Sequence, residues 1–138
     1  MKLKIKDLTF SYPGHTILDG ITVEIEPSEF FGIIGPNGTG KTTLIKCIDT
    51  ILKPHGGCVM LDGMEVRDLD KRELAKRIGY VPQHAPGVFP ATVFDTILMG
   101  RRPYIGWRVT EKDLERVLET VELLGIEELS LRPFGELS

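Results

Sequence analysis

The chain has only two cysteines, one tryptophan and a formal charge of -3, and it has no long apolar run. Each scarcity removes a class of protein. Cys47 and Cys58 lie in apolar stretches without metal-type spacing, so both are expected to be reduced packing thiols of a cytosolic protein. No stretch approaches the roughly 20 apolar residues that cross a bilayer. Residues 1–6 alternate charge and hydrophobe, which suits a strand and not a signal peptide. So small a net charge offers no electrostatic case for wrapping nucleic acid. There is no internal repeat and no low-complexity tract. What remains, 138 residues at 41% hydrophobic and 27% charged, describes an ordinary soluble globular domain.

Glycine, by contrast, is concentrated where it carries chemistry. Gly35-Pro36-Asn37-Gly38-Thr39-Gly40-Lys41-Thr42-Thr43 fits a glycine, four free positions, then Gly-Lys and a Ser or Thr, the phosphate-binding P-loop. Gly35, Gly38 and Gly40 permit backbone angles that a side chain would forbid. The turn can then wrap its N–H groups around phosphates as a nest, and the following helix adds the positive end of its dipole. Asn37, Gly38, Thr39, Gly40, Lys41, Thr42 and Thr43 are therefore the candidate nucleotide-binding residues. Lys41 would reach the β- and γ-phosphates as a catalytic cation, and the Thr42 hydroxyl would hold Mg²⁺. The flanks suit this reading. Residues 30–34 are an apolar run without alternation, as expected of a strand buried on both faces. Leu44, Ile45, Ile48, Ile51 and Leu52 recur at helical spacing, and a stop follows near Pro54 to Gly57.

Two halves of different character follow along the chain. Residues 2–10 and 21–26 alternate as strands, and 58–61 runs into an Asp62-Gly63 turn. A short amphipathic helix near 70–76 leads to a strand at 78–81. Residues 82–90 hold three prolines and a glycine and read as a loop. After Ala91 the pattern is helical. Val93, Phe94, Ile97 and Leu98 form one stripe, and Leu114, Val117, Leu118, Val121 and Leu124 form a longer one. The longer stripe opens on the capping box Thr110 to Asp113. A strand at 30–34 needs parallel partners on both sides, yet only 78–81 is available. No carboxylate ends a further apolar strand, where P-loop enzymes place an Asp for Mg²⁺. The chain is expected to be the first part of a larger domain.

Taken together, these motifs resemble the ATP-binding cassette (ABC) ATPases over essentially the whole chain. Leu8 to Tyr12, followed by Thr16 to Gly20, resembles that family's opening hairpin, in which Tyr12 would stack on adenine. Residues 35–43 resemble its Walker A loop. Tyr80-Val81-Pro82-Gln83 resembles its Q-loop, with Gln83 approaching Mg²⁺ and the attacking water. His84 beside it is expected to be a solvated neighbour. Phe134-Gly135-Glu136-Leu137-Ser138 resembles the approach to the signature Leu-Ser-Gly-Gly-Gln and holds only its first two letters.

The resemblance implies an α/β fold: a P-loop NTPase core of ABC type, with an N-terminal antiparallel β subdomain and the start of a helical subdomain. It is expected to be incomplete, with residues 1–90 as ATP-binding core and 91–138 as first helices. ATP and Mg²⁺ are the implied cofactors. The implied partners are a second ATPase subunit, membrane permeases docking along residues 83–95 (from Gln83 to Asp95), and indirectly a substrate-binding protein. The location would be the cytoplasmic face of a prokaryotic membrane. Without a Walker B aspartate, a catalytic glutamate or a switch histidine, residues 1–138 are expected to bind nucleotide without turning it over. Met99-Gly100-Arg101-Arg102-Pro103-Tyr104, then Ile105-Gly106-Trp107, resembles importers of iron–siderophore, haem and cobalamin complexes. A soluble ABC ATPase without a transport role and a P-loop small-molecule kinase remain open as alternatives.

Overall fold

The computed structural model describes residues 1–83 and 91–137, in two compact units, Met1–Ile78 and Gly79–Ser138. The expected boundary at residue 90, His84, and the part of the docking segment from 84 to 90 lie outside the described residues.

The first unit is built on an antiparallel sheet in the order β2-β1-β3-β4. Strands β1 (Leu3–Tyr12) and β2 (His15–Ile25) form the opening hairpin, and β3 (Gly56–Leu61) pairs on the other side of β1. Simple alternation along β1 would put Ile5 and Asp7 on one face. Instead, Ile5 opposes Val23 and Leu8 opposes Ile21, so β1 carries one extra residue there. Asp7 takes it up at a φ of 48°, and both Ile5 and Leu8 point into the core. The bulge also explains Gly57, at a φ of 77°: a Cβ there would collide with the carbonyl oxygens of Lys6 and Asp7. The Asp62-Gly63 turn joins β3 to β4 (Met64–Glu65) with both central residues at positive φ, as a tight hairpin requires.

Helix α1 (Lys41–Ile48) lays Leu44 and Cys47 on this sheet, where they join Ile5, Leu8, Val59 and Leu61. It stops earlier than its apolar spacing predicts. Thr50 turns the chain at a φ of 56°, and the Leu52 N–H donates to the Lys46 carbonyl at 3.0 Å. Ile51 thereby leaves the stripe, while Leu52 still packs on the core. The short helix α2 (Lys71–Ala75) is capped by the Asp70 carboxylate and buries Leu74.

The predicted strands at 30–34 and 78–81 do not form. Neither joins a ladder, and the side chains of Phe30 and Ile34 are 101% and 97% exposed. The physical reason is the shortage of partners. Among the described residues every strand is antiparallel and belongs to the one sheet, so these two segments have no neighbour to receive their N–H and C=O groups.

In the second unit, α3 (Val93–Gly100) and α4 (Glu111–Leu124) pack together, each entered through a capping box. The Thr92 N–H donates to Asp95 Oδ2 and the Asp95 N–H to Thr92 Oγ1, both at 3.1 Å. At α4 the Thr110 hydroxyl and N–H donate to Asp113 Oδ2 at 2.6 and 3.1 Å. Arg101 donates to the other oxygen of the buried Asp113 at 3.1 Å and lies 4.3 Å over the Tyr104 ring. The two 3-10 turns at Glu127–Leu129 and Phe134–Glu136 bracket the return of the chain to α3, where the Phe134 N–H donates to the Ala91 carbonyl at 2.9 Å. Of the long apolar stripe on α4, Val117 and Val121 are buried, while Leu114, Leu118 and Leu124 are exposed, because among the described residues α3 is the only helix packed against it.

These boxes hold both carboxyls below the ordinary value of 3.8. For Asp95 the cause is the Thr92 hydroxyl and N–H; for Asp113 it is the same groups of Thr110, with Arg101 adding to them against burial. A carboxyl lowered on folding contributes stability above its unfolded value and loses it as pH falls through the folded one. Unfolding of α3 and α4 should therefore set in as the medium is acidified below 3.8. An Asp95→Asn/Asp113→Asn variant should be less stable at neutral pH and should lose that acid-dependent step. Helicity melts across the pH range check both outcomes.

Candidate functional site

The loop 35–40 enters α1 through Gly40, which stands at the N-cap position with a φ of 89°. Only a residue without a side chain fits there: a Cβ would sit 2.7 Å from Ile17 Cγ2 and 3.1 Å from Leu18 Cδ2 of β2. The close approach sets the helix start directly on the hairpin. Gly38, at a φ of 84°, has no atom within 4 Å of its Cβ position, so its left-handed turn faces open space. Together these angles curl the backbone so that successive N–H groups can point to one side.

The electrostatics of this entrance are those of an anion site. No side chain caps the N-terminus of α1 and no acidic residue stands in its first turn. Every other helix of the described residues has a carboxylate in its first turn. The Lys41 ammonium folds back to donate to the carbonyl oxygens of Gly35, at 2.7 Å, and Pro36. The Thr39 hydroxyl also donates to the Pro36 oxygen, at 3.0 Å. A cation held on two neutral carbonyls exchanges them readily for phosphate oxygens, which return a charge-assisted bond. The Thr42 side chain is exposed beside it. A cavity of about 330 Å³ adjoins the loop, lined by Gly35, Pro36, Thr39, Gly40 and Lys41 together with Leu18 and Ile21 of β2.

Tyr12 lies at the end of β1, opposite His15, with its ring half exposed. The Tyr12 and Phe10 rings meet in a T-shaped contact at 5.0 Å and 84°. Phe10 stacks in turn on His55 at 5.4 Å, and His55 Nδ1 accepts the Ser11 N–H at 3.1 Å. His55 therefore braces the strand end that carries Tyr12. The sequence singled out its neighbours Gly56 and Gly57 only as a helix stop.

Tyr12 and residues 37–43 all belong to the first unit. Gln83 belongs to the second, is exposed, and is the last residue described before 84. Among the described residues no cluster of three or more His, Cys, Asp or Glu could hold a metal, so a cation at Thr42 would depend on oxygens that a ligand brings. Sequence reasoning missed the Ile17 and Leu18 contact with Gly40. The left-handed φ of an N-cap glycine is legible as a possibility, but which residue presses on it comes only from the packing of α1 on β2.

The model of the ABC transporter family matches residues 18–138. The chain belongs to that family. An uncharacterized ABC transporter ATP-binding protein of Methanocaldococcus jannaschii is 44% identical over 138 residues, covering 100% of this chain and 54% of that protein. The ferric enterobactin transport ATP-binding protein of Escherichia coli is 34% identical over 141 residues, covering 99% and 51%. Among solved structures, a dimeric bacterial ABC transporter cassette superposes with a TM-score of 0.80 at 29% identity, covering 99% of this chain and 63% of that one. This ABC chain thus spans about half the length of the curated relatives it matches. Among the described residues no helix is long and apolar enough to cross a membrane.

The close approach at Gly40 predicts a measurable strain. Gly40→Ala should destabilise the first unit by roughly 1–3 kcal/mol. Gly40→Ala combined with Ile17→Ala should lose less than the sum of the single variants, since the second removes the obstructing methyl. Urea midpoints of the four proteins measure the coupling.

Proposed function

We propose that this chain is the nucleotide-binding part of an ABC importer subunit. The proposed work is ATP binding and hydrolysis coupled to uptake of an iron–siderophore, haem or cobalamin complex. The observation that carries the nucleotide reading is the entrance of α1, left without a capping side chain or an acidic residue and with the Lys41 ammonium resting on exchangeable carbonyls. These residues fit a triphosphate. The N–H groups of residues 38–43 would cradle its β- and γ-phosphates, Lys41 would neutralise them, and the Thr42 hydroxyl would hold Mg²⁺. When bound, ATP with Mg²⁺ supplies the transferable phosphoryl group and the cation that balances its charge. Tyr12 would hold the adenine by its ring face, and Gln83 would approach the metal and the attacking water.

The transport reading is supported by the relatives. One is named for ferric enterobactin transport and another, 36% identical, for phosphonate import. The superposed cassette is dimeric, which supports a working pair of ATPase subunits. The permeases would dock along residues 83–95, and the substrate-binding protein would act through them. The subunit would lie on the cytoplasmic face of the membrane. The iron–siderophore, haem or cobalamin assignment rests on residues 99–107 and on the enterobactin relative.

Isothermal titration of residues 1–138 with MgATP tests the reading. Binding should be measurable, and Lys41→Ala should weaken it by about 10- to 100-fold, the weight of one charge-assisted hydrogen bond. The same polypeptide should show no steady-state phosphate release. A turnover that Lys41→Ala abolishes would contradict the expectation that residues 1–138 bind nucleotide without turning it over.

A further inference from the structure

We propose that the loop joining α3 to α4, residues 101–110, is a lipid-contacting element that seats Trp107 in the headgroup layer of an anionic bilayer. Trp107 is the sole tryptophan of the chain, and its side chain is completely exposed. An indole this exposed contributes nothing to the packing around it. Its amphipathic ring partitions instead to a membrane–water interface.

The charges around it are arranged for the same surface. Residues 101–110 contain three arginines and no carboxylate. Arg101 is neutralised by Asp113, at 3.1 Å. Arg102 and Arg108, five positions before and one after Trp107 in the sequence, are exposed, and neither forms an ion pair among the described residues. At the start of α4, exposed Lys112 stands beside Glu111, and Asp113 is taken up by Arg101. A chain of net charge -3 would be repelled by an anionic surface in most orientations, so a locally positive loop selects the approach that brings Trp107 down first. Half-exposed Tyr104 and Val109 extend the apolar contact.

The loop is also preorganised. Ile105 is buried beneath it, and its N–H and that of Tyr104 both donate to the Arg101 carbonyl, at 3.2 and 2.8 Å. The Arg101 guanidinium, clamped between Asp113 and the Tyr104 ring, ties the loop to the start of α4. Little conformational freedom is then lost on contact. Lipid phosphates are the source of anion that fits here, because a cation pair flanking an exposed indole matches a headgroup layer with apolar chains beneath it. This inference goes beyond the nucleotide reading and stands without it.

Because Trp107 is unique, its fluorescence reports this site alone. Phosphatidylglycerol–phosphatidylcholine vesicles added to the 138-residue chain should shift its emission to the blue, and brominated lipid should quench it. Pure phosphatidylcholine vesicles should do so far more weakly. Arg102→Gln/Arg108→Gln should lower partitioning about 25-fold, at roughly fivefold per cation near an anionic surface. Arg102→Lys/Arg108→Lys should retain it, which separates lost charge from lost folding. Lys41→Ala should bind vesicles like the parent, so failure of the nucleotide reading leaves this result untouched. Three outcomes overturn the proposal: no shift with anionic vesicles, vesicle binding with unshifted Trp107 emission, or the same shift from glycerol 3-phosphate or polyglutamate without vesicles.

Discussion

The approach of Gly40 to Ile17 and Leu18 is the contact on which the candidate site depends. It fixes the start of α1 against the second strand of the hairpin, with no room for a side chain between them. From that point the rest follows. Leu44 and Cys47 of α1 reach the sheet core, the helix N-terminus faces out of the loop, and Lys41 returns over the Gly35 and Pro36 carbonyls. A phosphate loop must be rigid to be useful, because N–H groups that wander bind anions no better than water does. Here the rigidity comes from an antiparallel sheet that closes its own backbone bonds. The bulge at Asp7 and the left-handed Gly57 beside it are local adjustments that let three strands meet at that core.

The same accounting of backbone bonds explains what is unformed. Residues 30–34 and 78–81 have strand composition but no ladder, and Phe30 and Ile34 are exposed as a result. Local composition states what a segment would do if it had neighbours. It cannot supply them. The exposed leucines of α4 follow the same rule one level up, since among the described residues its apolar stripe is wider than the face that α3 covers.

Much of the molecule was legible because its signals are short-range. The glycine spacing at 35–40, the Asp62-Gly63 turn and the Thr110 to Asp113 box each depend on residues within a few positions of one another, and the structure contains all three features. The pairing of Arg101 with Asp113 and the support of Tyr12 by Phe10 and His55 were not legible. Arg101 and Asp113 stand 12 positions apart and Phe10 and His55 stand 45 apart, so their meeting is decided by how elements pack. The bulge was missed for a related reason: alternation along 2–10 gives no sign of where an extra residue will be placed until β2 and β3 are aligned on either side.

The central claim is that the backbone of residues 38–43, held on the hairpin by Gly40, is a preformed phosphate cradle. An amide proton–nitrogen NMR titration of the chain with MgATP tests it most directly. The account predicts that the Gly38, Gly40, Lys41 and Thr42 amides move first and furthest, with Ile17 and Leu18 following through their contact with Gly40. Unmoved resonances at 38–43, or shifts confined to other parts of the chain, would contradict it.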